Sequence, residues 1–358
     1  MVQESAEQHA FSLRLTLTSQ RMQILLIKQT SLGDVLHSTA QVRAIRERLP
    51  DCHLTILTST TAKDIYRHNP HVDRIILFDR YQVKQIWWRQ PGWVVRHIVE
   101  TLREVRREPY DLALDLQGRW KSVIFLWGAR ASKRFVKGRW WFAHRFHDPQ
   151  LHALDEMNGV LELAGLGGGG QQTEFFTSAT EKRSVKQKMS RHSLEGRRWI
   201  LCCPISRWPT KDWPLENYEE LARRLPDDVM LVFAGSAKDR EAIRLALAPL
   251  PVSRVVNLAG DLSLAEFAEL VNQAAAVVTG DSFPLHVAAA NGRPTVALFG
   301  PTDETRVGPI GDSTIIIRAD SANCSRCYRR TNCLKACIRQ IRPDQIRQAL
   351  QRVTNGFI

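Results

Sequence analysis

The sequence predicts an α/β protein built from two doubly wound parallel sheets. Three observations carry that reading. Short apolar runs alternate with helical patterns along most of the 358 residues. The alternation resumes beyond a glycine-rich stretch, Gly165 to Gln172, in which Gly167 to Gly170 are consecutive. Two of the apolar runs, within Ile24–Val35 and just before Asp281–His286, end in small and polar residues where a helical pattern opens. Parallel sheets present backbone N–H groups and functional side chains in this way at their carboxyl edge. The two edges lie far apart in sequence, so two α/β domains facing one cleft are expected.

The expected organisation is a disordered extension at 1–21, a first domain at 22–166, a linker at 167–172 and a second domain at 173–340. A closing helix follows at 341–358, with a return to the first domain as one option. Met22 to Lys28 reads as a buried strand, Gln29 to Gly33 as a turn, and Asp34 to Leu49 as a helix stopped by Pro50. Leu54–Thr58 and Ile75–Phe78 are further strands, with a short helix over Thr61–His68 between them. Arg80 to Glu108 reads as one long helix carrying Trp87, Trp88 and Trp93 among Arg89, Arg96, Arg103, Arg106 and Arg107. Tryptophans in such company mark either a membrane-surface face or, more commonly, a core stripe beneath solvated arginines. Leu112–Leu116 is a strand, followed by Gln117-Gly118-Arg119-Trp120-Lys121-Ser122. Lys133–Arg145 is a second basic and aromatic segment.

Beyond the linker, strands are expected at Trp199–Cys203, Val229–Ala234, Arg254–Leu258, Ala276–Gly280, Thr295–Phe299 and Thr314–Arg318. Helices are expected at Leu215–Leu225, Asp239–Leu247, Leu264–Gln273 and Leu285–Asn291, and Pro343 opens the last one.

Composition narrows the function. A hydrophobic content of 44% supports packed cores. No run of about 18 apolar residues exists, so no membrane-spanning helix is expected. The N-terminus lacks a secretory pattern. The net charge of +13 favours a polyanionic partner, with a basic protein lacking one as the plain alternative. A non-catalytic nucleic-acid-binding protein is the remote reading of that charge, and no recognised nucleic-acid module supports it. Seven cysteines, four of them near the C-terminus, read as thiols or metal ligands in preference to disulfides.

Several residues sit where chemistry is expected. Asp34 lies where the first strand hands over to its helix, as a general base or as an N-cap. Lys211 lies between Trp208-Pro209 and Trp213-Pro214, which restricts its reach and suits a cation held against a diphosphate. Asp239 follows a strand and is either a ribose acceptor or a helix N-terminal acid. Asp281 to His286 opens a helix whose N–H groups suit a phosphate, while His286 alone reads as a core histidine. No G-x-G-x-x-G follows the first strand and no P-loop is present, so dehydrogenase and NTPase chemistry lose support, and there is no D-x-D pair to hold a divalent metal on a nucleotide-sugar diphosphate. Cys324, Cys327, Cys333 and Cys337 are read as free thiols or as a structural zinc or iron site.

Taken together, Lys28-Gln29-Thr30-Ser31-Leu32-Gly33-Asp34-Val35, Ser206-Arg207-Trp208 with Lys211 and Trp213, Gly280-Asp281-Ser282-Phe283-Pro284-Leu285-His286 and Phe299-Gly300-Pro301-Thr302 resemble glycosyltransferase family 9. This family holds the heptosyltransferases of lipopolysaccharide core assembly, and the resemblance runs over roughly residues 22 to 350. The Asp-Ser-x-Pro-x-His form is similar to the heptosyltransferase III branch. The resemblance implies a GT-B fold, two Rossmann-like domains facing a cleft, and inverting transfer that requires no cofactor. It implies Asp34 as base and Thr30, Ser31, Ser206, Lys211, Asp239, Leu262, Asp281, Ser282 and His286 as donor-binding residues. Arg119, Lys121, Arg130 and Arg134 are then expected at the anionic acceptor. The implied donor is ADP-heptose and the implied acceptor a lipopolysaccharide core. The implied location is the cytoplasmic face of the inner membrane, with no nucleic acid as partner. A protein-modifying, autotransporter-type heptosyltransferase and a member using another nucleotide sugar are the alternatives.

Overall fold

The computed structural model describes residues 21–319, 326–331, 333 and 336–358, and the chain divides into two compact units, Met1–Gln171 and Gln172–Ile358. The expected extension at 1–21 lies outside the described residues except for Arg21. Its guanidinium donates to the Asp51 carbonyl at 2.7 Å and pairs with Asp73 at 2.8 Å.

The first unit holds β1 (Gln23–Ile27), β2 (His53–Ser59), β3 (Arg74–Phe78), β4 (Tyr110–Asp115), β5 (Ala131–Lys137) and β6 (His144–Phe146). All pairings are parallel and the spatial order is β3-β2-β1-β4-β5-β6. Ile24 to Ile27 have no exposed surface, which is why β1 reads as an unbroken apolar run. The order reverses between β1 and β4, so a crevice opens beyond their carboxyl ends.

Three expectations change here. The helix expected over Asp34–Leu49 is two, Leu32–His37 and Thr39–Arg48. Ser38 separates them, its hydroxyl bonding the Val35 carbonyl at 2.7 Å and the Tyr66 hydroxyl at 2.6 Å. The long helix over Arg80–Glu108 is also two, Arg80–Ile86 and Pro91–Val105, because Pro91 cannot continue a helix but can start one. Trp87 and Trp88 are 62% and 61% exposed, which overturns the core-stripe expectation for them. Trp93 is the half-buried one, stacked on His97 at 4.9 Å.

β5 and β6 occupy the basic and aromatic segment. Gly118 sits at φ +65°, and a β-carbon there would lie 1.7 Å from the Lys137 carbonyl oxygen. Glycine is therefore required where the ends of β4 and β5 meet.

The second unit holds β7 (Arg198–Cys203), β8 (Val229–Phe233), β9 (Val255–Asn257), β10 (Ala276–Gly280), β11 (Thr295–Phe299) and β12 (Thr314–Arg318). They too are all parallel, in the order β12-β11-β10-β7-β8-β9. Read from the other end, that is the order of the first unit, with its switch between β7 and β10. Trp213, Tyr218 and Phe233 fill the core edge to face, at 4.8 and 5.6 Å. The Trp213 indole N–H donates to the Ile341 carbonyl at 2.9 Å. The last helix, Pro343–Val353, buries Ile346 and Leu350 in this same core. It belongs to the second unit, which corrects the suggested return to the first.

A helix not anticipated, Ala179–Arg191, lies against Leu264–Gln273. Glu266 joins them, taking bonds from Ser184 and, at 2.7 Å, from Lys188. Burial pushes its carboxyl up, but Lys188, Ser184 and the Ser263 N–H outweigh burial and hold it at about 2. A depressed carboxyl stabilises the fold above its unfolded value of about 4.3 and loses that contribution as pH falls toward the folded value. Urea unfolding of the wild type and of Glu266→Gln is therefore expected to differ most near neutral pH and to converge as pH falls from about 4.3 to about 2. Parallel curves over that window would remove Glu266 from the account.

Candidate active site

In the first unit, the functional residues gather past the ends of β1 and β4. Gln117, from the loop after β4, accepts the N–H groups of Gln29 and Thr30 at 3.0 and 2.9 Å. One side chain thus pins the turn after β1 across the switch point. Asp115 holds Gln117 in place by accepting the N–H groups of Gln117 and Gly118 at 2.8 and 3.0 Å. Burial raises the Asp115 carboxyl to about 6 against those bonds.

Asp34 is the third residue of its helix, not the N-cap. Ser31 is the cap, and one Asp34 oxygen accepts the Ser31 N–H at 3.0 Å and the Ser31 hydroxyl at 3.1 Å. Burial works against the Asp34 charge, but Lys28, the Ser31 N–H, His37 and Lys137 favour it, and the net position is about 2. Lys28 is buried beside it, and that burial brings its ammonium down to about 8 despite Asp34. The result is a carboxylate held well below the usual range, with its second oxygen outside the cap bonds.

The four cations expected at the acceptor do not share one place. Arg119 is exposed at the N-cap of the Trp120–Gly128 helix, and Lys121 lies 5.2 Å over the Trp120 ring. Both lie at the carboxyl edge. Arg130 precedes β5 and its carbonyl accepts from Tyr110 N at 2.8 Å, which puts it at the amino edge, the side of the sheet away from Asp34. Arg134 donates to the Leu126 and Ala129 carbonyls at 3.2 and 2.7 Å, so its charge caps a helix C-terminus. Arg130 and Arg134 are withdrawn as acceptor residues on these grounds.

In the second unit, the loop after β7 folds over the end of β10. Asp212 fixes its start by accepting the Ser206 N–H and hydroxyl, both at 2.8 Å. Lys211 donates to the Asp281 carbonyl at 3.1 Å and to its carboxylate at 2.5 Å. This approach needs Gly280, because a β-carbon there would come within 2.7 Å of the Lys211 carbonyl oxygen. Two cations lie over the Trp208 ring, Lys211 at 4.4 Å and Arg330 at 4.6 Å from its centroid. The Thr210 hydroxyl ties the arginine segment down through the Arg329 carbonyl at 2.6 Å.

The helix Phe283–Ala290 starts at Ser282. Pro284 has no N–H and Leu285 N–H donates to Ser282 O at 3.0 Å, so this helix start has fewer donors than the sequence suggested. His286 is 7% exposed, in line with the core-histidine alternative. Past β8, Asp239 accepts the Ser236 N–H and hydroxyl, both at 2.7 Å. Gly260 approaches Ala237 in that loop, which brings the half-buried Leu262 alongside.

Cys337 is buried in the core, Cys333 is half-buried and Cys327 exposed, while Cys324 lies outside the described residues. Among the described residues no three His, Cys, Asp or Glu side chains converge as a metal site.

Sequence reasoning missed Gln117, Asp115, Lys28 and Arg330 as parts of the two sites. Gln117 and Asp115 stand at the end of a recognisable strand, which was the available signal. Arg330 had none, because it is remote in sequence from Trp208.

Residues 98–338 match glycosyltransferase family 9 (heptosyltransferase). The chain belongs to this family. As a glycosyltransferase it is 29% identical over 317 residues to lipopolysaccharide heptosyltransferase 2 of Escherichia coli K12, covering 83% of this chain and 88% of that one. Its fold is that of the family 9 glycosyltransferase from Veillonella parvula, with a TM-score of 0.79, 19% identity and coverage of 93% and 97%. An E. coli heptosyltransferase solved with ADP-2-deoxy-2-fluoro heptose matches at a TM-score of 0.72 and 20% identity, covering 92% and 99%. The family 9 fold is thus the GT-B arrangement of two Rossmann-like sheets that the resemblance implied.

Proposed function

We propose that this glycosyltransferase transfers heptose from ADP-heptose to a hydroxyl of an anionic lipopolysaccharide core, with inversion and without a metal. The observation that carries the reading is the Trp208 cluster. Lys211 and Arg330 flank one indole beside Asp281, at the carboxyl edge where a doubly wound sheet binds nucleotides. That is a cationic seat for a diphosphate built from side chains alone. The donor choice draws on the solved relative that carries an ADP-heptose analogue.

In this mechanism the acceptor oxygen forms its bond to the anomeric carbon as the bond to ADP breaks. The hydroxyl proton passes to the second oxygen of Asp34, and the electron pair leaves with the diphosphate. A carboxylate held at about 2 is a weak base toward a free hydroxyl. It suffices here because the attacking oxygen turns strongly acidic as its new bond forms, so the proton moves late. The leaving diphosphate gains charge at the same moment, and Lys211, Arg330 and Ser282 bind that state more tightly than the ground state. Asp281 holds heptose hydroxyls, Thr30 and Ser31 border the sugar, Asp239 takes the ribose and Leu262 lies along the adenine. Arg119 and Lys121 meet the acidic groups of the acceptor. Asp34 belongs to the first unit and Lys211 to the second. The acceptor is lipid-anchored, and the enzyme meets it at the cytoplasmic membrane surface. Among the described residues no helix is long and apolar enough to cross a membrane.

ADP release is expected with ADP-heptose only when a core acceptor is present, at the same rate with and without EDTA, and with the opposite anomeric configuration in the product. Acceptor-independent release, or loss of rate in EDTA, would contradict the proposal.

A further inference from the structure

We propose that the first unit carries a tryptophan-rich, cationic platform that docks on an anionic lipid bilayer. This rests on the reading that the acceptor is a glycolipid. Five of the ten tryptophans are far out in solvent: Trp87, Trp88, Trp120, Trp127 and Trp141 are 62, 61, 65, 68 and 85% exposed. Indoles are costly to leave in water and rarely stand so free in a soluble domain.

The five belong to neighbouring elements. Trp120 and Trp127 are seven residues apart on one helix, hence on one face, about 10 Å from each other along the axis. The Trp140 indole donates to the Gly118 carbonyl at 3.1 Å, which sets Trp141 beside the start of that helix. Pro91–Val105 packs against the same helix, where Gly128 leaves room for Leu102, and against Arg80–Ile86 on its other side. Trp87 and Trp88 follow directly from Arg80–Ile86. Arg80 and Lys84 both oppose the charge on Lys121, so cations of the two outer helices share one field.

The two segments that carry these indoles are basic, although Lys137 at the far end of one of them pairs with Glu156 at 2.6 Å. Residues 80–99 contain four Arg or Lys and no acid, and residues 116–147 contain eight and no acid. The surface ion pairs of the second unit show the contrasting pattern, with Glu219 beside Arg223 and Glu241 beside Arg244. Indoles settle at the headgroup level of a bilayer, and cations beside them are drawn to anionic headgroups. Arg89 over the Trp88 ring, at 4.5 Å, and Lys121 over Trp120 keep cation and indole in one contact. A bilayer uses both properties of the surface at once.

The test compares the intact enzyme with the variant Trp87→Ser/Trp88→Ser/Trp127→Ser, whose changed residues lie outside both sites. The probes are vesicles of phosphatidylcholine alone and of phosphatidylcholine with phosphatidylglycerol. The wild type is expected to bind anionic vesicles at least about tenfold more tightly than neutral ones, less so at high salt, with a blue-shifted indole emission. The variant is expected to lose about tenfold of that binding, to turn over a delipidated soluble core acceptor at the wild-type rate, and to be slow on acceptor embedded in vesicles. Equal vesicle binding by variant and wild type, or a single-stranded oligonucleotide displacing the enzyme from vesicles, would overturn the proposal. Failure of the wild type on the soluble acceptor would instead sink the functional reading and leave the vesicle result intact.

Discussion

Asp34→Asn is expected to lower kcat by about 10²–10⁴-fold, the usual worth of a positioned base, with fold and nucleotide affinity preserved. The amide oxygen can still accept the Ser31 N–H, so the turn survives. What is lost is the charge that receives the proton and that faces the buried Lys28. Single-turnover rates and ADP affinity measured on the same preparation separate the two effects. A normal turnover rate would remove Asp34 as the base. The acid limb of kcat/KM offers a second check. Because Asp34 is held at about 2, its protonation is expected to leave the rate untouched through the pH range where ordinary carboxylates titrate. A limb near pH 4 would have to belong to another group or to a different assignment.

Lys211→Ala is expected to cost about 10²–10³-fold in kcat, comparable with losing one donor aimed at developing negative charge. ADP should bind more weakly as well. The complication is Asp281, which is 5% exposed and would lose the ammonium it accepts from. Breaking a buried pair from one side is costly in itself. The double variant Lys211→Ala/Asp281→Asn resolves this, since it leaves no uncompensated carboxylate. Because Asp281 also holds heptose hydroxyls, Asp281→Asn alone is the reference: if the double variant stays well below that reference in rate while its melting temperature recovers, Lys211 acts on the reaction. If the double variant matches Asp281→Asn in both rate and stability, the lysine serves only to neutralise Asp281.

Much of this architecture was legible in the sequence because its central strands are buried on both faces. β1, β7, β10 and β11 are unbroken apolar runs, and β10, β11 and β12 match their expected limits to the residue. The strands missed, β5 and β6, are the outer ones of their sheet, where Lys133, Arg134 and His144 replace aliphatic residues and no apolar run remains. Helix breaks were missed for two local reasons, the backbone bonding of Ser38 and the start at Pro91. Arg130 and Arg134 were expected at the acceptor through the family resemblance, and with β5 unrecognised as a strand nothing showed that Arg130 precedes it or that Arg134 bonds the end of the helix before it. Trp208 and Lys211 were recognisable from their spacing. Their third partner, Arg330, was not, because a contact spanning more than a hundred residues leaves no periodic trace. For Trp87 and Trp88 the sequence left a surface face and a core stripe both open and favoured the core, because an indole at helical spacing has the same pattern whether it faces the core or the water.

The bond between Lys211 and Asp281 has a bearing on how a turnover cycle ends. In the resting protein the ammonium already has a counter-ion, so a stray inorganic phosphate finds little attraction there. A molecule joining hydroxyls to a diphosphate can satisfy both members of the pair when it parts them. Once the sugar has moved on, the nucleotide left behind satisfies only one. Re-closure of the pair would then favour ejection of the spent carrier, making the latch a device for clearing the seat as well as for filling it.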